Sequence, residues 1–155
     1  MNNVYDPRKI KVFFNGSKID GFSEDSNVTI TPNGDGTKTQ VGCDGEVMFS
    51  IDVDNTFTIK LSLMQTSESN DILSAAYKNF RENGMLSRIY VKDDMGTTVF
   101  SSSKAAVKKY PETSFKKDGT AREWEIVTMQ ADEVNIGGEA GNEWNGIDFS
   151  KYILY

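Results

Sequence analysis

The sequence predicts a mainly-β fold, a β-sandwich or barrel of several antiparallel strands with one packed α-helix at about 67–83. Three observations predict it. Apolar residues alternate with period two in Lys9–Phe14, Glu46–Ile51 and Thr56–Met64. Turn clusters punctuate these runs: Asn15-Gly16, Pro32-Asn33-Gly34-Asp35-Gly36, Gly42-Cys43-Asp44-Gly45 and Asp93-Asp94-Met95-Gly96. A single stretch changes to a helical period, with Ile72, Leu73, Ala76, Tyr77 and Phe80 on one face.

In chain order, Met1–Arg8 reads as an arm, because Pro7 and its polar flanks discourage regular structure. Ile10, Val12 and Phe14 share one face of the first strand. Asn15-Gly16 then closes a tight hairpin, since both residues accept the positive φ that a type I′ turn demands. The return strand Ser17–Ile19 is short. Val28 and Ile30 mark a strand at Asn27–Thr31, and Thr37–Val41 is polar and β-capable, an edge strand or an extended loop. In Glu46–Ile51, Val47, Phe49 and Ile51 are expected inward. Asp52–Asn55 is expected to turn this run directly into Thr56–Met64, making Glu46–Met64 one long hairpin. Ser67 offers a hydroxyl to the first free backbone N–H groups of the helix, and Glu68 and Asp71 sit near the positive end of its dipole. Asn83-Gly84 supplies the left-handed stop. A second hairpin joins Ser87–Lys92 to Thr97–Ser102, a strand follows at Ala105–Tyr110, and Phe115–Thr120 turns. Ala121–Ala131 carries apolar groups on both faces, Trp124 and Ile126 on one and Val127 and Met129 on the other, which predicts cover on both sides or a subunit contact. The segment 139–155 is aromatic, with Trp144, Phe149, Tyr152 and Tyr155, and is expected to dock on its own domain or on a neighbour.

The totals narrow the function. A chain of 155 residues fits one domain, 1–155, with a sizeable core. No apolar run approaches the roughly 20 residues that span a bilayer, and Met1–Arg8 lacks the apolar stretch of a secretory signal. The net charge of −6 argues against a nucleic-acid grip, which clusters Lys and Arg against phosphate. There is no histidine, so His-based nucleophile pairs and His-containing zinc sites are excluded. The single Cys43 allows no internal disulfide and has no basic neighbour in sequence.

The remaining motifs carry little chemistry. Asp52-Val53-Asp54-Asn55 lacks the glycine and closing glutamate of a calcium loop and reads as an acidic turn. Asn33–Gly36 and Gly137-Gly138 lack the lysine and the strand–helix setting of a phosphate cradle. Glu123 and Glu125 share a strand face, the minimum for two-carboxylate hydrolysis, but so acidic a surface makes such pairs by chance. No catalytic, cofactor or metal site is predicted. Lys108-Lys109 and Lys116-Lys117, around Tyr110 and Phe115, read as a solvated basic surface or a charged subunit contact.

The order of these pieces resembles the tail tube proteins of contractile-tailed bacteriophages and related prophage particles. The matching residues are Tyr5-Asp6-Pro7, the Asn15-Gly16 hairpin and Gly45-Glu46, then Thr58–Ser67 and Ser69–Ser74, then Arg122-Glu123-Trp124 and Ile136-Gly137-Gly138. The Gln65-Thr66-Ser67 and Ser69-Asn70-Asp71 elements are the most specific, and the resemblance runs to about Gly138. It implies a protomer of hexameric rings that stack into a rigid tube within a sheath, with baseplate and terminator proteins as further partners. The type VI haemolysin-coregulated protein is similar in fold. The resemblance also implies that DNA passes the bore without specific binding and that the subunit inserts into no membrane. The location implied is the virion tail, assembled in the host cytoplasm. A bore needs short polar side chains, and an acidic one repels phosphate. The expected lumen face is Glu46, Met48, Ser50, Thr58, Lys60 and Ser62. The expected subunit interface is Asn70, Asp71, Tyr77, Trp124, Val127, Met129, Trp144, Phe149, Tyr152 and Tyr155. The alternative is a monomeric β-sandwich binding a carbohydrate or receptor, with Trp124, Trp144, Tyr152 and Tyr155 as a stacking platform.

Overall fold

A computed structural model describes residues 9–23 and 28–138. The expectations for the Met1–Arg8 arm and for Trp144, Phe149, Tyr152 and Tyr155 lie outside the described residues.

The chain forms β1 (Ile10–Phe14), β2 (Ser17–Lys18), β3 (Val28–Pro32), β4 (Thr37–Val41), β5 (Val47–Ile51), β6 (Phe57–Leu63), α1 (Ser69–Asn83), β7 (Ser87–Asp93), β8 (Val99–Lys109), β9 (Arg122–Thr128) and β10 (Glu133–Asn135). All pairings are antiparallel. The main sheet runs β2-β1-β7-β8-β9-β6-β3, with β10 added on β8. β8 organises it: Val99–Ser102 pair with β7, β10 pairs with Val99–Ser101, and Ala105–Lys109 pair with β9.

β2 and β3 are opposite edges of this sheet yet consecutive in the chain. Their link runs along the end of β6, where Phe22 bridges Leu63 and the Ser23 amide donates to the Ser62 carbonyl at 2.9 Å. The sheet is therefore rolled, and its concave side holds the core: Val12, Phe14, Ile59, Leu61, Leu63, Ile89, Val91, Phe100, Val107, Trp124 and Ile126. Phe57 and Phe100 meet edge to face across it, 5.1 Å between centroids. The period-two pattern dictates this division, since β6 buries Ile59, Leu61 and Leu63 and turns Thr58, Lys60 and Ser62 outward.

α1 packs against β8 and sends Leu73 into the core. It begins two residues later than Ser67, but the Ser67 hydroxyl does accept the Ser69 amide, at 3.2 Å. Gly84 ends it at φ 68, a conformation costly for any residue with a Cβ. Asn15 and Gly16 both have positive φ, as the hairpin requires.

One sequence expectation fails here. Glu46–Met64 is not one hairpin. β5 pairs with β4 in a separate two-stranded sheet, while β6 pairs with β9 and β3. Accordingly Val47, Phe49 and Ile51 are not inward: Phe49 is 72% and Ile51 85% exposed. The reason lies at the base of β5. Asp52 and Asp54 accept the amides of Asp54 and Thr56, two tight local turns that end pairing before β6 begins. For Ala121–Ala131 the described chain supplies cover on one face. Its inner face is core, but no part of the described chain covers the outer one, where Val127 is half-buried; Met129, past the strand end, is 61% exposed.

Candidate functional site

β4 and β5 form an arm that stands apart from the main sheet. In its register Thr37 faces Ile51, Thr39 faces Phe49 and Val41 faces Val47, so these six side chains share one face. That face is a strip of aliphatic, aromatic and threonine groups. Lys38, Gln40, Met48 and Ser50 share the other. Every arm residue except Ser50 is exposed. A two-stranded ribbon alone is marginally stable in water, and an uncovered strip of this kind marks a contact surface.

The base of the arm is rigidly tied. Asp52 accepts the Asp35 amide at 2.9 Å and the Asp54 amide at 3.0 Å. Asp54 accepts the Thr56 hydroxyl at 2.6 Å and the Thr56 amide at 3.0 Å. Gly34 is required there, because a Cβ would collide with the Asp54 carbonyl. The Asp54 and Asp35 amides hold the Asp52 carboxyl below its ordinary range, and the Thr56 hydroxyl and amide do so for Asp54. Both pKa values are lower folded than unfolded. Their contribution is therefore complete above the unfolded value and is lost as pH falls through the folded ones. Below about pH 4 the Asp35, Asp54 and Thr56 amides should exchange with deuterium faster, at intrinsic-rate-corrected values, while core amides stay protected. Protection unchanged once both carboxylates have taken up their protons would contradict this role.

The second surface is the outer face of β3, β6, β9 and the end of β8. Thr58, Lys60 and Ser62 lie on it, as expected, beside Thr29, Thr31, Glu123, Glu125 and Val127. Glu46, Met48 and Ser50 do not join it through strand pairing, because they belong to the arm. The face carries Lys60 opposite Glu125, and Lys108 reaches Glu125 at 3.6 Å. It is balanced in charge rather than acidic. Lys60→Glu should fold and lose less than about 1 kcal/mol, the scale of one unfavourable cross-strand pair; a urea midpoint checks this, and an insoluble product would mean that this face is covered.

The expected interface residues divide. Trp124 is 2% exposed and donates its indole N–H to Asn70 Oδ1 at 2.8 Å. Asn70 also donates to the carbonyls of Met64 and Ser67, at 3.0 Å each. Both residues hold α1 to the sheet, and Trp124, so buried, is not available as a stacking platform. Tyr77 is half-buried and packs on Tyr110, 4.6 Å between centroids. Asp71 and Met129 are exposed, and Val127 is half-buried on the outer face. The basic cluster borders a depression of about 450 Å³. Lys109 and Lys116 share its lining with Glu112, Glu123 and Glu125. Beneath it Arg122 donates to the Thr120 hydroxyl at 3.0 Å and lies over the Phe115 ring.

Sequence reasoning missed the apolar strip of the arm. The signal was present: Thr37, Thr39 and Val41 alternate in phase with Val47, Phe49 and Ile51, and glycine-rich acidic turns flank both strands.

Comparison with known proteins agrees with this architecture. A family model described as bacteriophage PhiTE tail tube protein matches residues 14–136. The chain is 27% identical over 146 residues to structural protein ORF10 of Pseudomonas phage KPP10, covering 88% of this chain and 83% of that protein. Its fold is similar to a sheath/tube terminator of an extracellular contractile injection system solved in the extended state. That likeness has a TM-score of 0.51 at 19% identity and covers 86% of this chain and 96% of the other. With the match running from the end of β1 through β10, the chain belongs to the bacteriophage PhiTE tail tube protein family.

Proposed function

We propose that this protein is the protomer of the inner tube of a contractile phage tail, assembling as stacked hexameric rings through which DNA passes. The observation that carries it is the β4–β5 arm, whose apolar face the described part of its own subunit leaves uncovered. A second copy is the cover that repeats identically along a tube, and such heterologous contacts close into rings or extend into filaments. The role is structural rather than catalytic.

In this reading the outer face of β3, β6 and β9 lines the bore. Its short Thr and Ser side chains leave space, and its paired Lys and Glu residues neutralise one another. DNA slides past because no row of cations displaces its counterions, not because the wall is acidic. Sheath, baseplate and terminator proteins contact the tube from outside, in the virion tail, after assembly in the host cytoplasm. Negative-stain electron microscopy of the purified protein tests the proposal. Rings or tubes of one diameter are expected; a strictly monomeric species at high concentration under all conditions tried would sink it.

A further inference from the structure

The arm is acidic as well as apolar. Between Asn33 and Asn55 lie Asp35, Asp44, Glu46, Asp52 and Asp54 against the single cation Lys38. Five carboxylates against one cation thus give the arm that carries the strip Val47–Phe49–Ile51 a net negative charge.

One surface of the protein has the opposite character. The outer face of β2, β1 and β7 carries Lys18, Lys11, Lys92 and Arg88 around two aromatic rings. Phe13 pairs with Tyr90 across the strands, the rings tilted with centroids 6.3 Å apart, and both are half-buried. Lys11 stands directly opposite Lys92. Like charges in facing positions destabilise a sheet; among the described residues Lys11 meets Asp94 at 2.8 Å and Lys18 meets Asp20 at 3.6 Å. Arg88 and Lys92 flank Tyr90 on the same side of β7, roughly 13 Å apart at strand rise. An apolar centre flanked by cations is the complement of an arm that carries an apolar strip and a net negative charge. The balanced β3-β6-β9 face offers neither the cations nor the rings.

We infer that the arm of one copy docks on the outer face of β1 and β7 of a neighbouring copy. Phe49 and Ile51 cover Phe13 and Tyr90, and arm carboxylates answer Lys92 and Arg88. The docking rests on the tube reading and adds the surface that receives the arm. A polyanion such as DNA is the competing occupant of a basic face. The aromatic pair at its centre and the uncovered strip on the arm favour a protein partner, since a duplex phosphate backbone leaves both apolar surfaces wet.

Cys43 at the arm tip is exposed and is the sole cysteine, so it is a built-in probe. Lys18→Cys and Lys92→Cys are made separately, with Thr29→Cys on the other face as control, and assembled protein is treated with a short bis-maleimide. A covalent dimer through Cys43 is expected with Lys18→Cys or Lys92→Cys and not with Thr29→Cys. In parallel, Lys92→Glu should raise the concentration needed for assembly about tenfold, and adding Glu46→Lys should recover most of that loss. Assembly without either cross-link, or cross-linking through Thr29→Cys alone, overturns the docking and leaves the tube reading standing. Lys92→Glu that assembles as wild type but retains less DNA also overturns it, assigning the face to nucleic acid. Wild-type protein that never assembles overturns both.

Discussion

Leu61→Asp should yield no soluble protein. Leu61 is 1% exposed at the centre of β6, facing Trp124 on β9 and Val28 on β3, with Ile59 and Leu63 on the same face. The substitution removes about 2–3 kcal/mol of apolar burial. It also leaves a carboxyl among hydrocarbon groups, which costs several kcal/mol more whether it stays charged or takes up a proton. Together these approach the entire stability of an ordinary domain, about 5–15 kcal/mol. Leu61→Met, similar in volume, should cost less than about 1.5 kcal/mol and express normally. Expression with both proteins partitioned between supernatant and pellet decides it; soluble, cooperatively melting Leu61→Asp protein would mean that β6 does not carry the core.

Phe49→Asp should do the reverse, sparing the fold and stopping assembly. Phe49 is 72% exposed on an arm whose pairing partners are all on the arm itself, so the subunit loses little by the change. If the arm joins subunits, assembly buries the ring, worth about 2–3 kcal/mol per contact. That corresponds to a roughly 30- to 150-fold rise in the concentration at which polymer forms, before the cost of covering the new carboxylate. Sedimentation velocity should show a folded monomer where wild type forms large species, with an unchanged circular dichroism spectrum. Polymerisation at the wild-type concentration would remove the arm from the assembly contact.

The contrast between these two positions explains how much was legible in the sequence. Leu61 and Phe49 both sit in clean period-two runs, and the pattern alone assigns both inward. Alternation reports that one face of a strand will be covered, not whether the cover is the same chain. In β6 the cover is the protein's own core; in β5 the described part of the subunit provides none. What separates them is register, set by the hydrogen bonds of Asp52 and Asp54 that turn the chain before β6. Those side-chain bonds are invisible in an alternation count. The helix, its Gly84 stop and the Asn15-Gly16 hairpin were legible because each is decided within a few residues. The strand β10 was not, since its three residues pair only through the distant β8.

The Trp124 reading failed for a related reason. A large aromatic on a strand with two apolar faces suggests a contact surface, but the indole N–H needs a buried acceptor. Asn70, in the first turn of α1, provides one 54 positions away. Within the Gln65–Ser74 segment, Asn70 therefore joins the helix to the sheet. The basic face of β1 and β7 was likewise hidden, because Lys11, Lys18, Arg88 and Lys92 are scattered in sequence and gather only when β1 pairs with β2 and β7.

Amide hydrogen exchange of the arm, compared between assembled wild-type protein and monomeric Phe49→Asp, tests the central claim most directly. If the arm joins subunits, the amides of Thr37–Val41 and Val47–Ile51 exchange at nearly unprotected rates in the monomer, as expected of an isolated ribbon. In the assembled protein they become protected to the level of the core strands. Arm amides that exchange equally fast in both samples, while the wild type is demonstrably polymerised, would show that the subunits are joined elsewhere.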